Sequence, residues 1–144
     1  MNSSIPFRPI RRFMFIAFIS LSCAACSKGG PQLHPVEGKV LFQEQPAEGA
    51  SVVFVPVAST GSELLQPSGA VRSDGSFSLE TYPHGKGAPP GDYKVVVMWF
   101  PPNARELDNP KNKAPAKYSD ATTTPLTATI KEGPNTLQAF QLTK

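Results

Sequence analysis

The sequence predicts an all-β chain, a seven-stranded antiparallel β-sandwich that follows an N-terminal signal segment. Three observations predict it. Short apolar runs of period two recur along the chain, each bounded by Gly, Pro, Asp or Asn, as half-buried strands joined by turns require. Fourteen of the 16 prolines lie after residue 26, where each would remove a helical hydrogen bond. No stretch there carries a convincing helical period. At 144 residues the chain is long enough for one domain. Its 36–144 segment can bury about 60–70% of its unfolded surface, enough for a core without disulfides or metal.

Residues 1–25 read as an export signal. A short basic region, RPIRR, runs into FMFIAFISL and then into the small residues SCAA, the order of n-region, h-region and cleavage site. The apolar run from Phe13 to Ala25 is 13 residues, short of the roughly 20 that span a bilayer as a helix. Arg8, Arg11 and Arg12 are the only charged residues before residue 26. Beyond them, 11 basic residues face all 11 acidic ones. The formal charge of +3 therefore belongs to the leader, and the neutral body has no stripe for nucleic acid. Arg11-Arg12 alone is a poor twin-arginine signal, and the general secretory route is expected.

Both cysteines stand in this region, as C-A-A-C from Cys23 to Cys26. A thioredoxin-like pair would open a helix after a strand, whereas Gly29, Gly30 and Pro31 follow here. A zinc site would need two more ligands, and the two histidines, His34 and His84, offer no useful spacing. No disulfide can reach into residues 27–144, which lack cysteine. The stretch resembles the lipobox of bacterial lipoproteins, in which small residues precede the cysteine that becomes the mature N-terminus. Ala24 and Ala25 match it; Cys23 stands where the family prefers Leu. The resemblance implies a thioether-linked diacylglycerol on Cys26. Ser27 in place of Asp implies sorting to the outer rather than the inner membrane.

Residues 26–35, with two Gly and two Pro after Cys26, read as a flexible tether, His34 included. From Val36 the period becomes two. Val36, Gly38, Val40 and Phe42 share the buried face of a first strand, EQPAEGA turns, and SVVFVPV forms a second, with Pro56 marking its end or an edge. A loop follows from Ala58 to Gln66. GAVRS and SFSLET flank Asp74-Gly75, a strong hairpin signal, with Phe77 and Leu79 inward. In YKVVVMWF, residues 93–100, Tyr93, Val95, Val97 and Trp99 face the core. LTATIK turns Leu126, Ala128 and Ile130 inward, and Glu132-Gly133-Pro134-Asn135 leads into TLQAFQLTK. There Leu137 and the Phe140/Leu142 pair fall on opposite parities, predicting a bulge near Gln138 or Ala139.

GKV at Gly38 with PAEGASVVF, SDGSFSL from Ser73 and PGDYKVVV from Pro90 together resemble the carboxypeptidase regulatory-like, or transthyretin-like, domain. That implies a prealbumin-like or Ig-like sandwich, a scaffold reused for many tasks. The whole chain, including KYSD from Lys117 and PLTATIKEGPNTL from Pro125, resembles small lipoproteins of planctomycete-type bacteria, which implies anchor and fold but no activity.

Catalytic and metal-binding signals are lacking. The chain ends FQLTK, where transthyretin-like hydroxyisourate hydrolases end in Tyr-Arg-Gly-Ser, and it has no G-x-S-x-G, H-E-x-x-H or phosphate-cradling loop. Asp74 reads as a turn residue and Asp120 as the head of an Asx turn. No cofactor is expected. Two long loops, 81–91 and 101–124, are the candidate binding elements, with Tyr82, Trp99 and Tyr118 as ring platforms; alternatively, Tyr118 pins its loop to the sandwich edge. The expected function is a lipid-anchored, non-catalytic cell-envelope module that meets other proteins. The second reading is a carbohydrate- or peptide-binding module.

Overall fold

The computed structural model describes residues 30–58 and 64–144. The leader, Cys23 and Cys26 lie outside the described residues, as does the tether before Gly30.

Among the described residues, eleven strands form two sheets. The first is organised on β1 (Val36–Phe42), both edges of which are covered by short strands laid end to end. Along one edge lie β2 (Gln45–Pro46) and β5 (Ser76–Ser78), both antiparallel to β1. Along the other lie β10 (Asn135–Thr136) and β11 (Phe140–Leu142), both parallel to it. The second sheet is antiparallel throughout. Its order is β7 (Gly85–Lys86), β6 (Glu80–Thr81), β4 (Ser68–Ala70), β3 (Ser51–Pro56), β8 (Gly91–Met98) and β9 (Thr127–Ile130).

The all-β class and the two-sheet arrangement agree with the sequence. Strand number and direction do not. Two predicted strands are each split in two, and β2 and β7 lie where only turn and loop were expected. The first split follows Asp74-Gly75. Arg72 N–H donates to Ser76 O at 2.8 Å and Gly75, at φ 81°, closes the turn, yet the next arm does not stay with one partner. Its first half pairs with β1 and its second half with β4, so the segment crosses between sheets at Leu79, as corner strands do. The second split is the expected bulge. Val36 pairs with Asn135 and Val40 with Phe140, so the C-terminal segment carries one extra residue between β10 and β11. Parallel pairing on β1 was not expected, because alternation specifies which face is buried but not which strand lies alongside.

Smaller departures have local causes. A two-residue turn at Gln43 and Glu44, at φ 49° and 66°, closes the β1–β2 hairpin at the very start of the expected EQPAEGA turn, so that Gln45 and Pro46 pair back on β1. β8 starts at Gly91 and ends at Met98, leaving Trp99 just beyond it. His34 belongs to the fold, not the tether. It is bridged to Ala88 by two backbone hydrogen bonds of 2.9 and 3.0 Å, and its Nδ1 accepts from Gly133 N–H at 2.9 Å.

One core joins the sheets. Val36, Val40, Phe77, Phe140 and Leu142 from the first meet Val52, Phe54, Tyr93, Val95 and Val97 from the second. Phe54 ties them together, its ring centroid 6.2 Å from Phe77, 6.3 Å from Phe140 and 5.8 Å from Tyr93. Such tilted ring pairs add to the area they bury.

Candidate functional site

The inward alternation of β3 leaves Ser51 and Val53 on the opposite face, beside Ser68 and Ala70 of β4. These residues floor a groove of about 720 Å³ on the outside of the second sheet. Arg72, Ser78 and Glu80 flank it, and the β6–β7 loop closes one end with Tyr82 and Pro83.

The loop is held firmly at its base. Thr81 is buried and its hydroxyl donates to Gly87 O at 2.7 Å, while His84 N–H donates to Thr81 O at 2.7 Å. With its neighbours fixed, Tyr82 is left 92% exposed, the most exposed large apolar side chain among the described residues. Arg72 is positioned from the other side by donating to Ser78 Oγ at 2.7 Å and Ser76 Oγ at 3.3 Å. The groove thus offers an aromatic face, a cation, a carboxylate and several hydroxyls. That set suits hydrogen bonding and ring stacking by a polar, extended ligand.

The other two predicted rings lie elsewhere. Trp99 is half-buried, its Nε1–H donating to Glu48 O at 2.8 Å, its ring edge-on to Phe42 at 5.9 Å and under Lys113 Nζ at 5.4 Å. Tyr118 is 2% exposed, and its hydroxyl accepts from Thr143 N–H at 3.1 Å. Its ring pins the 101–124 loop to the C-terminal strand and offers no platform. Of Tyr82, Trp99 and Tyr118, the groove contains Tyr82 alone.

The long loop is itself structured. Single 3-10 turns at Ala104–Glu106 and Ala116–Tyr118 sit inside it. Asn112 Oδ1 accepts from Trp99 N–H at 2.8 Å and Ala114 N–H at 3.0 Å, and its Nδ2 donates to Ser119 Oγ at 2.7 Å. Asp120 heads an Asx turn, accepting from Thr122 N–H at 2.7 Å and Thr122 Oγ1 at 2.6 Å. Asp74 does the same with Ser76, at 2.9 and 2.6 Å. In both, the hydroxyl bond and then the backbone bond hold the carboxyl below its ordinary range. Neither aspartate belongs to a metal-binding cluster, since no group of three His, Cys, Asp or Glu comes together among the described residues.

A second concavity, of about 370 Å³, lies beside Pro31. Pro31, Pro56, Pro89 and Tyr93 line it, with Val57 and Leu64 at 62% and 58% exposure.

Sequence reasoning missed Ser51, Ser68, Arg72 and Glu80 as site residues. Their signal was the polar half of each strand's alternation, which specifies a surface but not that neighbouring strands curve it into a groove. No protein-family profile, curated protein or solved structure matches this chain.

Proposed function

We propose that this chain is a lipid-anchored, non-catalytic module of the bacterial cell envelope that acts by contact, with the Tyr82 groove as its contact face and another envelope protein as its partner. A diacylglycerol on Cys26 would hold the domain at the membrane, and the lipobox-like C-A-A-C is what supports it. In this reading the two sheets are a prealbumin-like or Ig-like sandwich of the carboxypeptidase regulatory-like kind. Support comes from the motif glycines, with Gly49 at φ 78° before β3 and Gly91 at φ 147° opening β8. The observation that carries the contact reading is the exposure of Tyr82 at the mouth of a groove whose lining also carries Arg72, Glu80 and the hydroxyls of Ser51, Ser68 and Ser78. An aromatic ring held out by a fixed loop loses little entropy on binding, which is why such rings dominate interfaces.

A second reading, a glycan as ligand, is favoured by the hydroxyl, Arg72 and Glu80 groups beside that same ring. Crosslinking in whole envelopes and a glycan array, both on the mature protein, separate the two. In either case Tyr82→Ala should abolish capture while shifting stability by no more than about 0.5 kcal/mol, as expected for an exposed side chain. Unchanged capture by Tyr82→Ala would remove the groove from the function.

A further inference from the structure

Given the lipid anchor at Cys26 proposed above, we infer that the Pro31–Val57–Leu64 concavity is a membrane-contact surface, its occupant the headgroup and upper acyl region of the bilayer that holds the anchor. Chain length places it there. Pro31 is the fifth residue after Cys26, and a fully extended peptide advances at most about 3.6 Å per residue. Pro31 therefore lies within about 18 Å of the lipid-bearing cysteine, and a bent chain brings it closer.

The surface at that point has the chemistry a bilayer interface selects. Val57 and Leu64 are two of the five large hydrophobic side chains left exposed among the described residues, and both line the concavity that Pro31 enters. Pro31, Pro56, Pro89 and Pro90 line it too and present no backbone N–H that would need a partner in the interface. Asp92 is the one charged residue of the lining, and its Oδ1 already accepts from Thr129 Oγ1 at 2.6 Å. With no Lys or Arg in that lining, attraction comes from apolar contact rather than from anionic headgroups, so it should not depend on lipid charge. A protein partner seated in the same place would have to share space with the anchor's own bilayer.

The absence of cysteine from residues 27–144 makes the test direct. The mature lipidated protein carrying Val57→Cys, Leu64→Cys or Lys113→Cys is labelled with an environment-sensitive fluorophore. Each is then reconstituted into phosphatidylcholine vesicles containing a chain-brominated lipid quencher. Lys113 is exposed beside Trp99, at the far end of β8 and about 25 Å from Gly91 at the strand rise, so it serves as the distant reference. The expected result is several-fold stronger quenching at positions 57 and 64 than at 113, unaltered by added anionic lipid. Vesicles that co-float with the protein but quench all three positions alike overturn the contact surface and leave the anchor standing. Protein that fails to co-float overturns the anchor, and the contact surface with it.

Discussion

At Gly38, on the buried face of β1, a Cβ would stand 2.7 Å from Phe77 Cζ and 2.8 Å from Cε1. The Phe77 ring cannot swing away, because it stacks on Phe140 at 6.2 Å and 15° and abuts Phe54. Gly38→Ala should therefore destabilise the domain by about 1–3 kcal/mol, the usual penalty for overpacking, read as a lowered denaturant midpoint. An unchanged midpoint would mean that the core yields at this contact. The two Asx turns give a different residue-scale expectation. The folded-state pKa of both Asp74 and Asp120 is lowered from 3.8, first by a hydroxyl and then by an amide hydrogen bond. A depressed carboxyl contributes stability that is complete above its unfolded value and is lost as pH falls through the folded one. As pH falls below about 4 the midpoint should thus fall, and fall less in Asp74→Asn/Asp120→Asn, which keeps the turn acceptors but cannot titrate. Equal acid dependence in the two proteins would deny the aspartates this role. Asp74-Gly75 and Asp120 were legible in the sequence because an Asx turn is a local event. The Phe77 contact at Gly38 was not, since it depends on a residue nearly 40 positions away.

Among the elements, the 101–124 loop owes its order to a few side chains rather than to a ladder. Asn112 ties Trp99, Ala114 and Ser119 together. Buried Thr124 closes the far end by donating to Val95 O at 2.7 Å and accepting from Leu126 N–H at 3.2 Å. Asn112→Ala leaves those groups without partners and should cost about 1–3 kcal/mol. It should act mainly as local opening, so trypsin should cut faster after Arg105, Lys111 or Lys113 while the strands stay intact. Cleavage at the wild-type rate would place the loop's order elsewhere. Sequence reasoning found this loop by its length but could not see its fastening, because Asn112 resembles any polar loop residue until Trp99 is beside it. The same limit applies to the strands. Alternation correctly placed Val36, Val40, Phe77, Tyr93, Val95 and Ile130 inside, and the parity break between Leu137 and Phe140 located the bulge. It could not show that residues 76–81 serve two sheets or that β10 and β11 run parallel to β1, because partner choice is set by the whole chain's path. Tyr82 was legible as a candidate, whereas Tyr118 and Trp99 differ from it only in what packs over them.

For the molecule as a whole, a segment with 11 basic and 11 acidic residues after the leader has little net charge to steer it over long range, so on the proposed reading its place in the cell would be set by Cys26. Each buried CH₂ of an acyl chain adds about 0.8 kcal/mol, and two or more long chains make release negligible on working timescales. Under the proposed anchor, whatever the groove contacts would be met within tether reach of one bilayer, where even weak contact would gain from a high effective concentration. The consequence is a sharp difference between the two cysteines. Cys26→Ala should leave the leader attached and move the protein from the detergent phase to the aqueous phase, because the acceptor thiol is gone. Cys23→Ala should be processed and partition as the wild type, since it keeps a small residue where it stands in C-A-A-C and leaves the thioether site intact. Mass spectrometry of the mature N-terminus reads both outcomes. Equal effects of the two substitutions, or an unmodified Cys26 on processed protein, would detach the domain from the membrane and leave the groove to act in free solution.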